Sequence, residues 1–230
     1  MIGEGAMATP TQGERAQPYL IGLTGNIACG KSAVLVALAE HGAATIDADR
    51  VVHALMEPGE TVWAAVRDTF GPAVMTEDGR IDRRALGAIV FADRAQLARL
   101  EGLTHPAVRT WIVARLAAFV REGVRVAVVD AIRLYEGGWA ERCNETWVVT
   151  CDPALQLARL MARNNFSEAE ARQRIAAQPP QAEKVARADV VIDNSGMLEA
   201  TRAQVDAAWA RLPRAVRGRS ERSGGRCSGP

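Results

Sequence analysis

The octapeptide Gly25-Asn-Ile-Ala-Cys-Gly30-Lys31-Ser32 constrains this chain more than any other segment, because of what stands on either side of it. Upstream, Tyr19-Leu-Ile-Gly-Leu-Thr24 is short and apolar, as a buried strand is; downstream, Val34, Leu35, Leu38 and Ala39 recur at helical spacing. Strand, glycine loop and helix in that order match G-x-x-x-x-G-K-[ST], where glycines let successive backbone N–H groups turn inward and the helix N-terminus adds partial positive charge. Such a loop takes a polyphosphate: Lys31 reaches the β- and γ-phosphates, and Ser32 offers its hydroxyl to Mg²⁺. Of 28 basic residues only Lys31 and Lys184 are Lys, so a chain that uses Arg elsewhere has kept Lys in the loop.

Four more apolar runs read as buried strands: Ala43–Asp47, Val124–Asp130, Glu145–Cys151 and Ala188–Asp193. Helical periods separate them, so the expected fold is α/β, a five-stranded and mostly parallel sheet built around the P-loop and covered on both faces. The spacing is uneven. Between Asp49 and Gly123 no clear strand occurs, and a helical stretch from Leu97 to Val120 carries apolar Leu100, Leu103, Val108, Trp111, Ile112, Leu116 and Phe119. This reads as a helical insertion over about 50–122. A smaller excursion, about 153–180, holds two Arg-rich helices, the second opening at Ser167-Glu-Ala-Glu170 in a capping-box pattern. Excursions at strand C-termini hold substrates or close over them, so this one is expected to be a small helical lid. The domain is expected to span 18–212, with disordered ends at 1–17 and 213–230.

Composition narrows the function. No run approaches the roughly 20 apolar residues of a membrane span, and residues 1–17 lack the apolar stretch of a secretory signal, so a cytoplasmic location is expected. The net charge of +1 conceals a basic tail: Pro213–Pro230 holds five Arg and one Glu, which leaves the domain itself slightly acidic. A nucleic-acid binder would carry its basic footprint on the domain, so nucleic acid is not an expected partner, and no obligate protein partner is implied. Cys29, Cys143, Cys151 and Cys227 show no C-x-x-C spacing, and His41, His53 and His105 are scattered, which argues against structural zinc. A GTPase would need an Asn/Thr-Lys-x-Asp motif, and neither lysine stands in one. A small-molecule kinase remains, with an acceptor site, a lid that excludes water and cations for the transferred phosphoryl group. Asp130 ends its apolar run as a Walker-B acid does and is a candidate Mg²⁺ ligand through water, together with Ser32.

Taken in order, Gly22-Leu-Thr-Gly25 through Ser32, Ile46-Asp-Ala-Asp49, His105-Pro106, Gln156-Leu-Ala-Arg159 with Arg163, Gln178, and Ala188-Asp with Ile192-Asp-Asn-Ser-Gly196 resemble the dephospho-coenzyme A kinase family from about Tyr19 to Leu212. The resemblance implies ATP-dependent phosphorylation of the ribose 3′-hydroxyl of dephospho-CoA, the last step of CoA synthesis, with ATP and dephospho-CoA as small-molecule ligands. It implies Asp49 as the base and Arg159 as the lid arginine, with Arg163 four residues on along the same helix face. Gly25, Asn26, Ala28, Cys29, Gly30, Lys31, Ser32 and Ala33 would surround the phosphates, and Asn194 and Gly196 would lie at the adenine. His105 would shape the acceptor site, and Arg83, Arg84 and Arg109 would pair the acceptor's phosphates.

Local physics offers other uses for some of these residues. Asp49 suits the N-cap of a helix from Arg50, and Asn-Ser-Gly suits a turn. Departures from the family pattern are also visible. Asn26, Ala28 and Cys29 stand where the family commonly has Gly, Gly and Ser, and Ala33 replaces a Thr, which implies weaker ATP binding. Asp130-Ala-Ile-Arg-Leu-Tyr-Glu136 lacks the Pro of a common Pro-Leu-Leu stretch. Two alternative readings are a nucleoside- or nucleotide-type P-loop kinase and a non-catalytic nucleotide-binding regulator with an RNA-contacting tail.

Overall fold

The computed structural model describes residues 17–217. Strands β1 (Tyr19–Thr24), β2 (Ala44–Asp47), β3 (Val126–Asp130), β4 (Glu145–Thr150) and β5 (Val190–Asp193) form one sheet in the order β2-β3-β1-β4-β5. All pairings are parallel, so the five expected strands are present in a fully parallel sheet. The register sets Leu23 and Asp47 against Asp130, which brings the ends of β1, β2 and β3 to one edge. The loop after central β1 therefore opens into the crevice where the strand order reverses, the place where parallel sheets bind ligands.

Apolar side chains alternate between two cores because helices cover both faces. Ile21, Leu23, Val126 and Val128 pack with α1 (Lys31–Glu40) and α9 (Leu198–Arg211) through Val34, Leu38, Val205 and Trp209. Leu20, Ala127 and Val129 face the opposite core, built by α2 (Ala48–Leu55), α3 (Thr61–Phe70), α4 (Arg83–Ala92) and α5 (Arg94–Arg121). Helix α5 carries Thr104, Val108, Ile112 and Leu116 at four-residue intervals on its buried face, and Pro106 sits inside it on the exposed side. That proline removes one i→i−4 bond, a local cost that the buried face offsets.

After β4 come α6 (Pro153–Asn164), α7 (Glu168–Ala176) and α8 (Gln181–Val185). The capping box at Ser167 and Glu170 forms as its spacing predicts. The expected disorder from 213 onward is corrected at its start: α10 (Arg214–Arg217) is a helical turn, with the Val216 N–H bonded to the Pro213 carbonyl and Val216 packed on the α1/α9 core. The rest of the expected disordered ends, 1–16 and 218–230 with Cys227, lies outside the described residues. Among those residues no helix is long and apolar enough to cross a membrane.

Gly22 sits in the middle of β1 where a side chain has no room. A Cβ there would stand 2.8 Å from both Cys143 Sγ and Leu134 Cδ2, and Leu134 is wholly buried. Gly22→Ala is expected to cost about 1–3 kcal/mol of stability through overpacking, read as a lower urea midpoint at unchanged m-value.

Candidate active site

The phosphate loop turns into α1 at Gly30, whose φ of 87° and ψ of 34° lie in the left-handed region. A Cβ on Gly30 would run into the Asn194 amide, and one on Gly25 would run into the Val149 carbonyl, so both positions need glycine. Ala28 also has a positive φ, 62°, and carries a strain on the order of 1 kcal/mol that a glycine there would not. Asp47, Asp82, Asp93, Asp152 and Ser167 cap α2, α4, α5, α6 and α7 with their side chains. Helix α1 has no side-chain cap and no acid in its first turn, which leaves its N-terminal field open to an anion.

Groups from distant parts of the chain hold the loop backbone. Gln178 Oε1 accepts from Ile27 N at 2.8 Å, Gln181 Oε1 accepts from Asn26 N at 3.0 Å, and Gln156 Nε2 donates to the Ile27 carbonyl at 2.8 Å. Lys184, 3 % exposed, donates from Nζ to Asn26 Oδ1 at 2.9 Å and to the Ile132 carbonyl at 3.0 Å. The Asn26 amide also donates to the Pro179 carbonyl at 3.1 Å, so this departure from glycine supplies a tether. Sequence reasoning assigned no role to Lys184 or Gln181; the scarcity of lysine was the available signal.

A cavity of about 690 Å³ brings together Lys31, Ser32, Asp47, Asp130, Arg159 and Arg163. Arg159 and Arg163 come from one face of α6, as their four-residue spacing predicts, and Arg159 Nη1 donates to the Asn194 carbonyl at 3.0 Å. Lys31 Nζ lies 3.4 Å from the Gly25 carbonyl and 3.9 Å from Asp130 Oδ1. That Asp130 oxygen is buried without a hydrogen-bond partner. Burial pushes the Asp130 carboxyl up to about 6, and nearby Asp47 and Asp49 add to the rise against the pull of Lys31. Among the described residues no three His, Cys, Asp or Glu side chains form a metal cage. One unsatisfied carboxylate oxygen beside a serine hydroxyl nevertheless fits Mg²⁺, which takes few protein oxygens and fills its octahedron with water and phosphate.

Asp49 lies on the other side of this edge. Helix α2 begins at Ala48, and its cap is Asp47, whose Oδ1 accepts from Arg50 N at 2.9 Å. The capping reading of Asp49 is thereby corrected by a shift of two residues: Asp47, extended at the strand end, meets the free N–H, while Asp49 sits inside the first turn. Asp49 lines a second cavity of about 220 Å³ with His105, Glu101 and Arg133, walled by apolar residues including Leu100, Val108 and Trp139. Desolvation raises its carboxyl above the usual range, opposed by the backbone N–H of Ile132 and the charge of Lys31.

Other expected site residues lie elsewhere. Arg83 and Arg84 open α4 beside a separate cavity, where Arg83 pairs with Glu57 at 3.1 Å. Arg109 is exposed on α5 and lines neither the Asp49 nor the Lys31 cavity. The Asn194 side chain faces inward, donating to the Cys29 carbonyl and accepting from Thr201 Oγ1, each at 2.9 Å, and Gly196 lies exposed beyond it. Cys29 is buried, its thiol pushed up to about 12 by desolvation.

The chain matches the family model described as dephospho-CoA kinase over residues 19–200. It is 51 % identical to a dephospho-CoA kinase of Symbiobacterium thermophilum, covering 83 % of this chain and 80 % of that one. It is 46 % identical to a dephospho-CoA kinase of Geobacter sulfurreducens, covering 84 % and 98 %. Among solved structures, TT1252 from Thermus thermophilus superposes with a TM-score of 0.76 at 33 % identity, covering 86 % of this chain and all of that one. The dephospho-CoA kinase from Campylobacter jejuni superposes with a TM-score of 0.53 at 25 % identity, covering 84 % and 96 %.

The raised Asp130 carboxyl has a thermodynamic consequence. The folded chain holds this proton more tightly than the unfolded one, so the group's contribution to stability is present at pH 4 and lost as pH rises through about 6. Asp130→Asn is expected to stabilise the ligand-free protein by roughly 2 kcal/mol at pH 7 and to remove this part of the pH dependence. Chemical denaturation from pH 4.5 to 7.5 checks both; equal stability of the two proteins at pH 7 would mean that Asp130 is not strained.

Proposed function

The chain belongs to the dephospho-CoA kinase family, and on that premise we propose how its own residues carry the reaction. It is an ATP-dependent phosphotransferase that moves the γ-phosphoryl group of ATP to the 3′-hydroxyl of dephospho-CoA. The observation that carries the residue assignment is the position of Asp49. It lines the α5 cavity, while Lys31, which lines the phosphate-loop cavity, is close enough to act on its carboxyl.

Dephospho-CoA enters the cavity under α5 with its ribose toward Asp49 and His105. Asp49 accepts the proton of the 3′-hydroxyl as that oxygen bonds to the γ-phosphorus, the bond from that phosphorus to the β,γ-bridging oxygen breaks, and ADP carries that oxygen away. A carboxyl raised by desolvation is a stronger base than one in water, and the Ile132 N–H keeps it oriented. Lys31 and the uncapped N-terminus of α1 hold the β- and γ-phosphates, and Arg159 meets the charge that spreads over the transferred group. Asp130 and Ser32 would hold Mg²⁺, which would supply positive charge against the phosphates.

Helices α6 and α7 act as the lid that carries Arg159 and excludes water, the 50–122 insertion acts as the acceptor side, and Gly196 borders the adenine. The work is cytoplasmic, where ATP is supplied. Neither a nucleoside-type kinase nor a non-catalytic regulator is favoured by the similarities found.

Two substitutions test the assignments. Lys31→Ala is expected to lower turnover of dephospho-CoA with MgATP by about 10²- to 10³-fold with little change in melting temperature. Asp49→Asn is expected to lower turnover by about 10²- to 10⁴-fold, again without loss of stability, because Asp47 rather than Asp49 caps the helix. Near-normal turnover in the Asn variant would remove Asp49 as the base.

A further inference from the structure

The acceptor carries a diphosphate close to the ribose that Asp49 serves, and a doubly charged group of that kind needs a cation within reach. The arginines expected from the sequence to supply it, Arg83, Arg84 and Arg109, do not line the Asp49 cavity. Among the described residues, Arg133 is the Lys or Arg that does. It also lines a larger cavity of about 810 Å³ enclosed by Ile27, Ile132 and the α7 segment around Arg174 and Gln178. Arg133 thus stands where the two cavities meet.

Its backbone is held by hydrogen bonds on either side, and its side chain is nearly half exposed. The neighbouring Ile132 carbonyl accepts from Thr24 Oγ1 at 3.1 Å and from Lys184 Nζ at 3.0 Å, and the Ile132 N–H faces Asp49. The peptide before Arg133 is therefore locked to the base, to β1 and to the brace of the phosphate loop. The Arg133 side chain is 46 % exposed, and its ion partner is Glu101 of α5, with Nη2 at 2.9 Å from Oε1. Arg133 is the more exposed partner, the Glu101 oxygen it meets is buried and makes no aligned hydrogen bond with it, and a diphosphate offers the guanidinium more oxygens than this one contact. The planar guanidinium fork matches diphosphate oxygens two at a time, which the point charge of a lysine does not. Arg133 also lies in the 130–136 stretch that lacks the Pro of the Pro-Leu-Leu pattern.

Resting on the kinase reading above, we propose that Arg133 binds the diphosphate of dephospho-CoA, leaving Glu101 as the acceptor settles between the two cavities. Glu101 then acts as a place-holder: it keeps the guanidinium over the opening in the free enzyme and competes with the incoming anion. Arg133 is a positioning residue for the acceptor and takes no part in proton or phosphoryl transfer.

Steady-state kinetics of the full chain with MgATP and dephospho-CoA decides the matter. Turnover by the unmodified protein tests the kinase reading; if dephospho-CoA is not phosphorylated, that reading fails independently of Arg133. With turnover established, Arg133→Leu is expected to raise the KM for dephospho-CoA by about 10- to 100-fold, while kcat and the KM for ATP stay within about threefold. Arg133→Lys should recover part of the loss, and Glu101→Gln should leave the KM for dephospho-CoA equal or lower. An unchanged KM in Arg133→Leu overturns the proposal. So does an equal rise for both substrates, or an equal rise in Glu101→Gln, either of which would make the pair a structural strut.

Discussion

The buried ammonium of Lys184 joins the phosphate loop to the loop after β3. It donates to Asn26 in the phosphate loop and to the Ile132 carbonyl in the loop after β3, and it is nearly inaccessible to water. Burial draws its pKa down, with the charge of Glu136 opposing the fall, so the hydrogen bonds rather than solvent keep the group polar. Without them the buried Asn26 amide oxygen would lose its donor, while the Ile132 carbonyl would keep only Thr24 Oγ1. Through this contact the loop facing the nucleotide and the loop facing the acceptor keep one relative position before either ligand arrives. Phosphoryl transfer gains most of its rate from that kind of positioning.

The parallel sheet supplies the other constraint. Because β1, β2 and β3 end at one edge, Asp47, Asp49 and Asp130 gather around Lys31, three carboxylates against one ammonium. Asp47 is committed to the cap of α2, Asp130 retains an unsatisfied oxygen, and Asp49 is raised by desolvation. Arg159 and Arg163 line the same cavity, yet one Asp130 oxygen stays without a hydrogen-bond partner. A divalent cation bound there would relieve both the carboxylates and any phosphates beside them.

Much of the architecture was legible because its causes are local. The glycine loop, the five apolar runs, the four-residue spacing of Arg159 and Arg163 and the Ser167 capping box each depend on residues close in sequence. Asp47 and Asp49 show where that resolution ends. Both lie at a strand-to-helix junction, and which one caps depends on where the chain leaves its extended conformation. The Asn194 side chain, expected near the adenine, is instead consumed by Cys29 and Thr201, partners 165 and 7 residues away.

The sequence by itself determined the α/β fold, the phosphate loop and the placing of Lys31 and Ser32 at the start of α1, of Asp49 just past β2 and of Asp130 at the end of β3, because periodicity and glycine conformation act over a few residues. Only the tertiary structure decided which cations line the cavity beside Asp49. Arg133 lines the Asp49 cavity while Arg83, Arg84 and Arg109 do not, and Lys184 is a brace rather than a surface charge. The physical reason is that a charged side chain is directed by the desolvation and partners it meets across the fold, and those partners come from segments that have no local signature in the chain.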